Sequence, residues 1–185
     1  MISFATQREV DSYKPIIEEL RKRYLSILDM IGKDLLGDYK AFELPHIISK
    51  IQRQKGKKIL DFGTGTSCLP AYLDSLGYEV WALDDGTWHP EVNEKTYNET
   101  YQSKIVYIIA DLLKKPNCVP DEYFDVIYSA SVLEHINGYE AYLKILDKKL
   151  KPGGLHIHVM DAKIPDNLYQ PEEGMSRLII SNETN

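Results

Sequence analysis

From Pro15 to Leu35 the apolar positions recur three and four residues apart, at Ile17, Leu20, Tyr24, Ile27, Leu28, Ile31 and Leu35. That spacing lays one stripe along a helix. Pro15 suits the first turn of such a helix and Gly37 the position just past its end. A second stripe, Leu44, Ile47, Ile48 and Ile51, predicts a helix over about Phe42–Gln54. From Lys57 onward the pattern changes to short apolar runs separated by helical segments. The runs Lys58–Asp61, Glu79–Leu83, Ile105–Ala110, Phe124–Ser129 and Leu155–Met160 read as strands. Helical segments are expected near Ser67–Leu76, Pro90–Tyr101, Ser131–Ile136 and Tyr139–Leu150. Strands separated by helices of this size predict parallel βαβ units. The expected class is therefore α/β, a Rossmann-like, doubly wound, mainly parallel sheet with helices on both faces. Ligands of such sheets bind at the carboxyl ends of the strands, where the strand order reverses. The expected organisation is one domain over residues 1–185, with a helical cap at 1–55, a ligand-binding core at 56–162 and a short tail at 163–185.

Composition narrows the partners. A chain of 185 residues with 43% apolar and 27% charged residues sits well inside the globular range. The net charge of −6 disfavours an electrostatic grip on nucleic acid or an anionic membrane. The first residues lack the apolar run of a signal peptide, and no apolar stretch is long enough to span a bilayer. Cys68 and Cys118 are the only cysteines and give neither a disulfide framework nor a zinc pattern, so the expected setting is the reducing cytoplasm.

The chemistry concentrates at strand ends. Lys58–Asp61 stops at a carboxylate and turns through Phe62, Gly63, Thr64 and Gly65 toward a helix. Glycine at both bends lets the backbone press against a ligand, because no Cβ intervenes. Asp61 at the mouth of this loop would repel a pyrophosphate and attract a cationic amine. The second strand ends in Asp84 and Asp85, and Asp84 lies 19 residues after Gly65. That is about the spacing at which a doubly wound nucleotide fold sets an acid on ribose hydroxyls. Asp-Asp-Gly is also good turn chemistry in its own right. The third strand ends in Asp111 and Leu112, an acid able to accept from an exocyclic amine with an apolar neighbour beside it, or simply a turn cap. The fourth ends in the small residues Ser129, Ala130 and Ser131, which leave room for a ligand.

These pieces, in this order, resemble the class I S-adenosylmethionine-dependent methyltransferases, and the resemblance covers roughly Lys57 to Val159. Ile59–Gly65 looks like the family's first motif, Asp84 like its ribose acid and Asp111 with Leu112 like its adenine contact. Ser129 to Ile136 looks like its fourth-strand signature, and Leu150–Gly154 like the turn into its fifth strand. The resemblance implies S-adenosylmethionine as cofactor and S-adenosylhomocysteine as product. It further implies that Gly63, Thr64 and Gly65 cradle the cofactor's amino-acid end, with Asp61 helping to hold the ammonium. The implied reaction is methyl transfer to an oxygen or nitrogen of a small molecule, a sugar or another polar metabolite. His135, just beyond the fourth strand, is the candidate general base or else a structural histidine, and Trp88 and His89 are candidates to hold the acceptor, to cover the adenine or to pack under the next helix. His156 and His158 share one face of the fifth strand and read as paired structural histidines, without the further ligands a metal needs.

Two departures from the family pattern stand out. Ser67 replaces a frequent third glycine, and a serine there can cap the next helix. Only 25 residues follow Met160, where the family usually adds a helix and an antiparallel hairpin. The expectation is a sheet reduced at its C-terminal part, with Arg177–Ile180 its one strand-like segment, a strand borrowed from a partner, or the N-terminal helices used as a lid; a fifth-strand edge left open would invite pairing with another copy. Two other readings remain at this stage: a nicotinamide-dependent oxidoreductase, which Cys68 at the third glycine position disfavours, and a non-catalytic binding or partner subunit.

Overall fold

A computed structural model describes residues 2–4, 11–30, 40–161 and 177–183. Strand β1 (Ile2–Phe4) is followed by helices α1 (Lys14–Met30) and α2 (Lys40–Gln52), then β2 (Lys58–Phe62), α3 (Leu69–Ser75), β3 (Glu79–Asp84), α4 (Glu94–Tyr101) and β4 (Val106–Ile109). Next come β5 (Phe124–Ala130), a single 3₁₀ turn (Leu133–His135), α5 (Tyr139–Lys149), β6 (Leu150–Asp161) and β7 (Arg177–Glu183). Gly37 and the segment 162–176 lie outside the described residues.

The strands form one sheet in the order β1-β7-β6-β5-β2-β3-β4. From β6 to β4 every pairing is parallel, while β7 runs antiparallel to both β6 and β1. Ile59, Leu60, Val126, Ile127 and Ile157 are all fully buried, as expected of strands covered on both faces. One core layer joins β2 and β5 to α2, α3 and the tyrosines of α4, and the other joins Leu60, Phe62, Phe124 and Ile127 to Leu146 of α5. Asp125 pins the entry to β2. Its Oδ2 accepts from the N–H groups of Lys57 (3.0 Å) and Lys58 (2.9 Å), and Lys151 Nζ donates to its Oδ1 at 2.6 Å.

Four expectations are corrected. The sheet is not reduced: among the described residues it has seven strands, because β1 from the start of the chain pairs with β7 (Ile2 with Ile180, Phe4 with Leu178). The fifth core strand, β6, is therefore not an edge, since β7 covers it from Leu155 to Asp161. The helix expected from Pro90 starts only at Glu94, where Asn93 forms a capping box. Its Oδ1 accepts from Thr96 N–H at 3.1 Å and its own N–H donates to Thr96 Oγ1 at 2.9 Å. The segment after β5 makes one 3₁₀ turn rather than a longer helix.

The strand order reverses at β2: β3 and β4 lie to one side, β5 and β6 to the other. Crossovers leave the sheet in opposite directions there, which opens a crevice at the carboxyl ends of β2 and β5. Among the described residues no helix is long and apolar enough to cross a membrane.

Candidate functional site

The loop after β2 forms the floor of that crevice. Gly63 and Gly65 both have positive φ, 79° and 51°. A Cβ at Gly63 would lie 2.5 Å from Val132 Cγ2, so this glycine is required by space as well as by conformation. The carbonyl of Leu83 at the end of β3 accepts from Gly63 N–H at 2.7 Å. Thr64 is buried, and its hydroxyl donates to the Asp61 carbonyl at 3.3 Å. Ser67 Oγ accepts from Leu69 N–H at 3.2 Å at the start of α3, while the N-cap position itself is Cys68.

Asp84 joins two loops. Its Oδ2 accepts from Gly65 N–H and its Oδ1 from Gly86 N–H, each at 2.8 Å. Each carboxylate oxygen has a second lone pair, so a ligand diol can still be met from this position. Asp85 is exposed and accepts from Thr87 N–H at 2.8 Å, the turn chemistry its sequence suggested. Asp111, after β4, is held below the usual carboxylate range, chiefly by Lys114, whose Nζ lies 3.1 Å from Oδ2. Its Oδ1 also accepts from Leu113 N–H and the Tyr142 hydroxyl. Leu112 and Phe62 pack into the core, so what they offer a ligand is main chain.

Asp61 is only 2% exposed. It lies among phenols: burial above all pushes Tyr97, Tyr107 and Tyr128 well above the ordinary tyrosine range, and Asp61 contributes to all three shifts. A ligand ammonium would therefore feel Asp61 chiefly through the loop it underlies.

The wall is built from residues distant in sequence. Trp88 is 77% exposed, so it is not packed under α4, and its ring centroid lies 6.1 Å from that of His135. A Cβ at Gly65 would lie 3.3 Å from His89 Cδ2, which places the His89 imidazole over the loop. The structure thus gathers Trp88, His89 and His135 at one mouth. Ser129 differs from expectation in its side chain. Its hydroxyl is fully buried and hydrogen-bonded to His158 Nδ1 at 2.8 Å, its direct neighbour in the β5–β6 register, which leaves only its main chain for a ligand. His158 Nε2 in turn meets His156 Nδ1 at 3.1 Å, and His156 Nε2 meets Asp147 at 2.9 Å. Burial, then the neighbouring His156, brings His158 down to about 3. The Cys68 thiol is a packed one, pushed up to about 12 by burial.

One polar pair went unread in the sequence. Ser131 has φ 53°, uncommon for a residue with a side chain, and its hydroxyl donates to Glu43 at 2.8 and 3.0 Å from the two carboxylate oxygens. Glu43 is fully buried on α2. Its signal was a carboxylate beside the apolar stripe of Leu44 and Ile47.

The arrangement fits a cofactor with a cationic amino-acid end and a ribose. Carboxylates lie at or just past the carboxyl ends of three adjacent parallel strands, around a loop whose glycines leave no side chain in the way. A diphosphate would meet those same charges as repulsion.

Comparison with known proteins agrees. A family described as a methyltransferase domain matches residues 37–175. The rat mitochondrial ubiquinone biosynthesis O-methyltransferase is 31% identical over 101 residues, 54% of this chain and 29% of that protein. The cyclopropane-fatty-acyl-phospholipid synthase of Escherichia coli K12 is 28% identical over 136 residues, 72% of this chain and 34% of that protein. The chain thus spans about a third of the length of these relatives. Among solved structures, phosphoethanolamine N-methyltransferase 1 of Haemonchus contortus, in complex with phosphoethanolamine and S-adenosylhomocysteine, superposes with a TM-score of 0.55 at 16% identity. That match covers 91% of this chain and 35% of that one, a likeness of fold.

Proposed function

Because the chain belongs to the methyltransferase-domain family, we propose that it binds S-adenosylmethionine in the β2–β5 crevice and transfers its methyl group to an oxygen or nitrogen of a small polar molecule. The observation that carries this reading is the run of acidic strand ends: a buried Asp61 near the end of β2, Asp84 as the last residue of β3 and Asp111 just past β4, around a loop bent at Gly63 and Gly65.

The cofactor supplies a methyl group on a positively charged sulfur, an electrophile that needs alignment and dryness more than activation. Gly63, Thr64 and Gly65 would hold its amino-acid end, with Asp61 beneath. Asp84 would accept from both ribose hydroxyls while keeping its hold on Gly65 and Gly86. Asp111 and the Leu112 main chain would border the adenine. Trp88 and His89 would cover the mouth and hold the acceptor against it. His135, exposed beside Trp88, is the side chain placed to take a proton from an acceptor O–H or N–H. The acceptor is a small molecule rather than nucleic acid, in keeping with the net charge of −6.

Calorimetry tests the reading directly. S-adenosylhomocysteine should bind, and a nicotinamide dinucleotide should not. Binding of the dinucleotide alone would make the protein an oxidoreductase candidate, and no binding of either at millimolar ligand would favour a partner role.

A further inference from the structure

Three successive carbonyls of the cofactor loop each receive a tyrosine hydroxyl. Tyr107 donates to Gly65 O at 2.9 Å, Tyr101 to Thr66 O at 2.6 Å and Tyr97 to Ser67 O at 2.5 Å. Tyr97 and Tyr101 stand one turn apart on α4, and Tyr107 projects from β4. Their rings form a tilted cluster, with centroids 4.7 Å apart for Tyr97–Tyr101 and 5.3 Å for Tyr97–Tyr107, and Tyr24 of α1 meets Tyr101 edge-on at 5.9 Å.

Core packing alone does not call for these hydroxyls, since phenylalanine would fill the same volume. Burial pushes all three phenols well above their ordinary range, so each remains a donor. In a trans peptide the C=O and the following N–H point in opposite directions. Fixing the carbonyls of Gly65, Thr66 and Ser67 on the tyrosine side therefore turns the N–H groups of Thr66, Ser67 and Cys68 away from that side, where that of Ser67 closes the loop on Thr64 O at 3.0 Å. The cluster is itself held: the Asn93–Thr96 capping box sets the start of α4, and Asn98 ties α4 to β4, with Nδ2 donating to Ile105 O at 2.9 Å.

We propose that Tyr97, Tyr101 and Tyr107 are positioning residues for the cofactor, each acting through one loop carbonyl to preform the cradle for its amino-acid end. This rests on the cofactor reading above. It assigns part of the cofactor affinity to hydroxyls that touch no ligand.

The experiment compares two probes, S-adenosylhomocysteine and 5′-methylthioadenosine, which lacks the amino-acid end. Calorimetry is run on the wild type and on Tyr97→Phe, Tyr101→Phe and Tyr107→Phe, with thermal unfolding to establish that each variant is folded. Each substitution should weaken S-adenosylhomocysteine about 3- to 10-fold, the scale of one hydrogen bond, and leave 5′-methylthioadenosine within about twofold. Equal losses for both probes would mean a general structural role and would overturn the proposal, as would unchanged affinity in all three variants. A wild type that binds neither probe would instead overturn the cofactor reading on which the proposal stands.

Discussion

Asp84 grips Gly65: a carboxylate oxygen at the end of β3 accepts from the backbone of the β2 loop at 2.8 Å, while its other oxygen holds Gly86 at the same distance. One side chain thus sets the separation of two loops that the proposed cofactor would bridge. Asp84→Ala should weaken S-adenosylhomocysteine by roughly 1–3 kcal/mol, through lost hydrogen bonds to a charged group. Calorimetry on the folded variant checks this, and an unaltered dissociation constant would remove Asp84 from the site.

Gly63 and Gly77 make a matched pair for separating space from backbone conformation. Both have positive φ, 79° and 85°, but a Cβ at Gly63 would press within 2.5 Å of Val132 whereas one at Gly77 meets nothing within 4 Å. Gly77→Ala should cost about 1 kcal/mol in urea unfolding. Gly63→Ala should cost clearly more and should also abolish cofactor binding. Equal costs for the two would show that Val132 simply moves aside.

The buried His158–His156 pair predicts an acid-sensitive fold. Both histidines have folded-state values below the ordinary 6.5, His158 at about 3, so the unfolded chain binds protons that the folded chain does not. Stability is therefore fully present above about pH 6.5 and falls as the pH drops below it, by about 1.4 kcal/mol per pH unit for each excluded proton. Between pH 6.5 and 4.5 this effect stands apart from the carboxylates Asp111 and Asp125, whose lowered values act at more acid pH. Urea unfolding across that window should give a flatter slope in His158→Leu than in the wild type. Parallel slopes would rule out His158 as the source.

Trp88 offers an optical test of the mouth. It is 77% exposed, whereas Trp81 is half-buried between Tyr123 and Phe124. Adding S-adenosylhomocysteine should shift the tryptophan emission to shorter wavelength in the wild type and in Trp81→Phe, and leave Trp88→Phe unshifted. A shift that survives in Trp88→Phe would place the ligand elsewhere. Trp88→Ala should alter stability by less than about 0.5 kcal/mol.

Why some of this was legible beforehand follows from the range of each signal. The strands ending in Asp61, Asp84 and Asp111 announced themselves locally, because a buried run that stops at an acid needs no knowledge of its neighbours. The partner of Ser129 depended on register. Ser129 faces His158 only through a shift between Phe124 and Val126, which no local pattern encodes. Likewise β1 is three residues long and pairs with residues 178–180, so nothing near Ile2 revealed that it completes the sheet. The tyrosines of α4 carry no local sign of what their hydroxyls meet. Their hydroxyl partners became visible only once α4 lay across the loop.

The far margin of the sheet carries a lesson about solitude. Strand β4 is the last in line, yet the outward amide of Ile105 is met by Asn98 Oδ1 at 3.0 Å and that of Tyr107 by Glu94 Oε2 at 3.1 Å. Helix α4 thereby hems the fabric at its selvage, so a stranger's backbone arriving there finds those two handholds already taken. Loss of Asn98 and Glu94 together would leave that border ragged, and the molecules would begin to stitch themselves to one another.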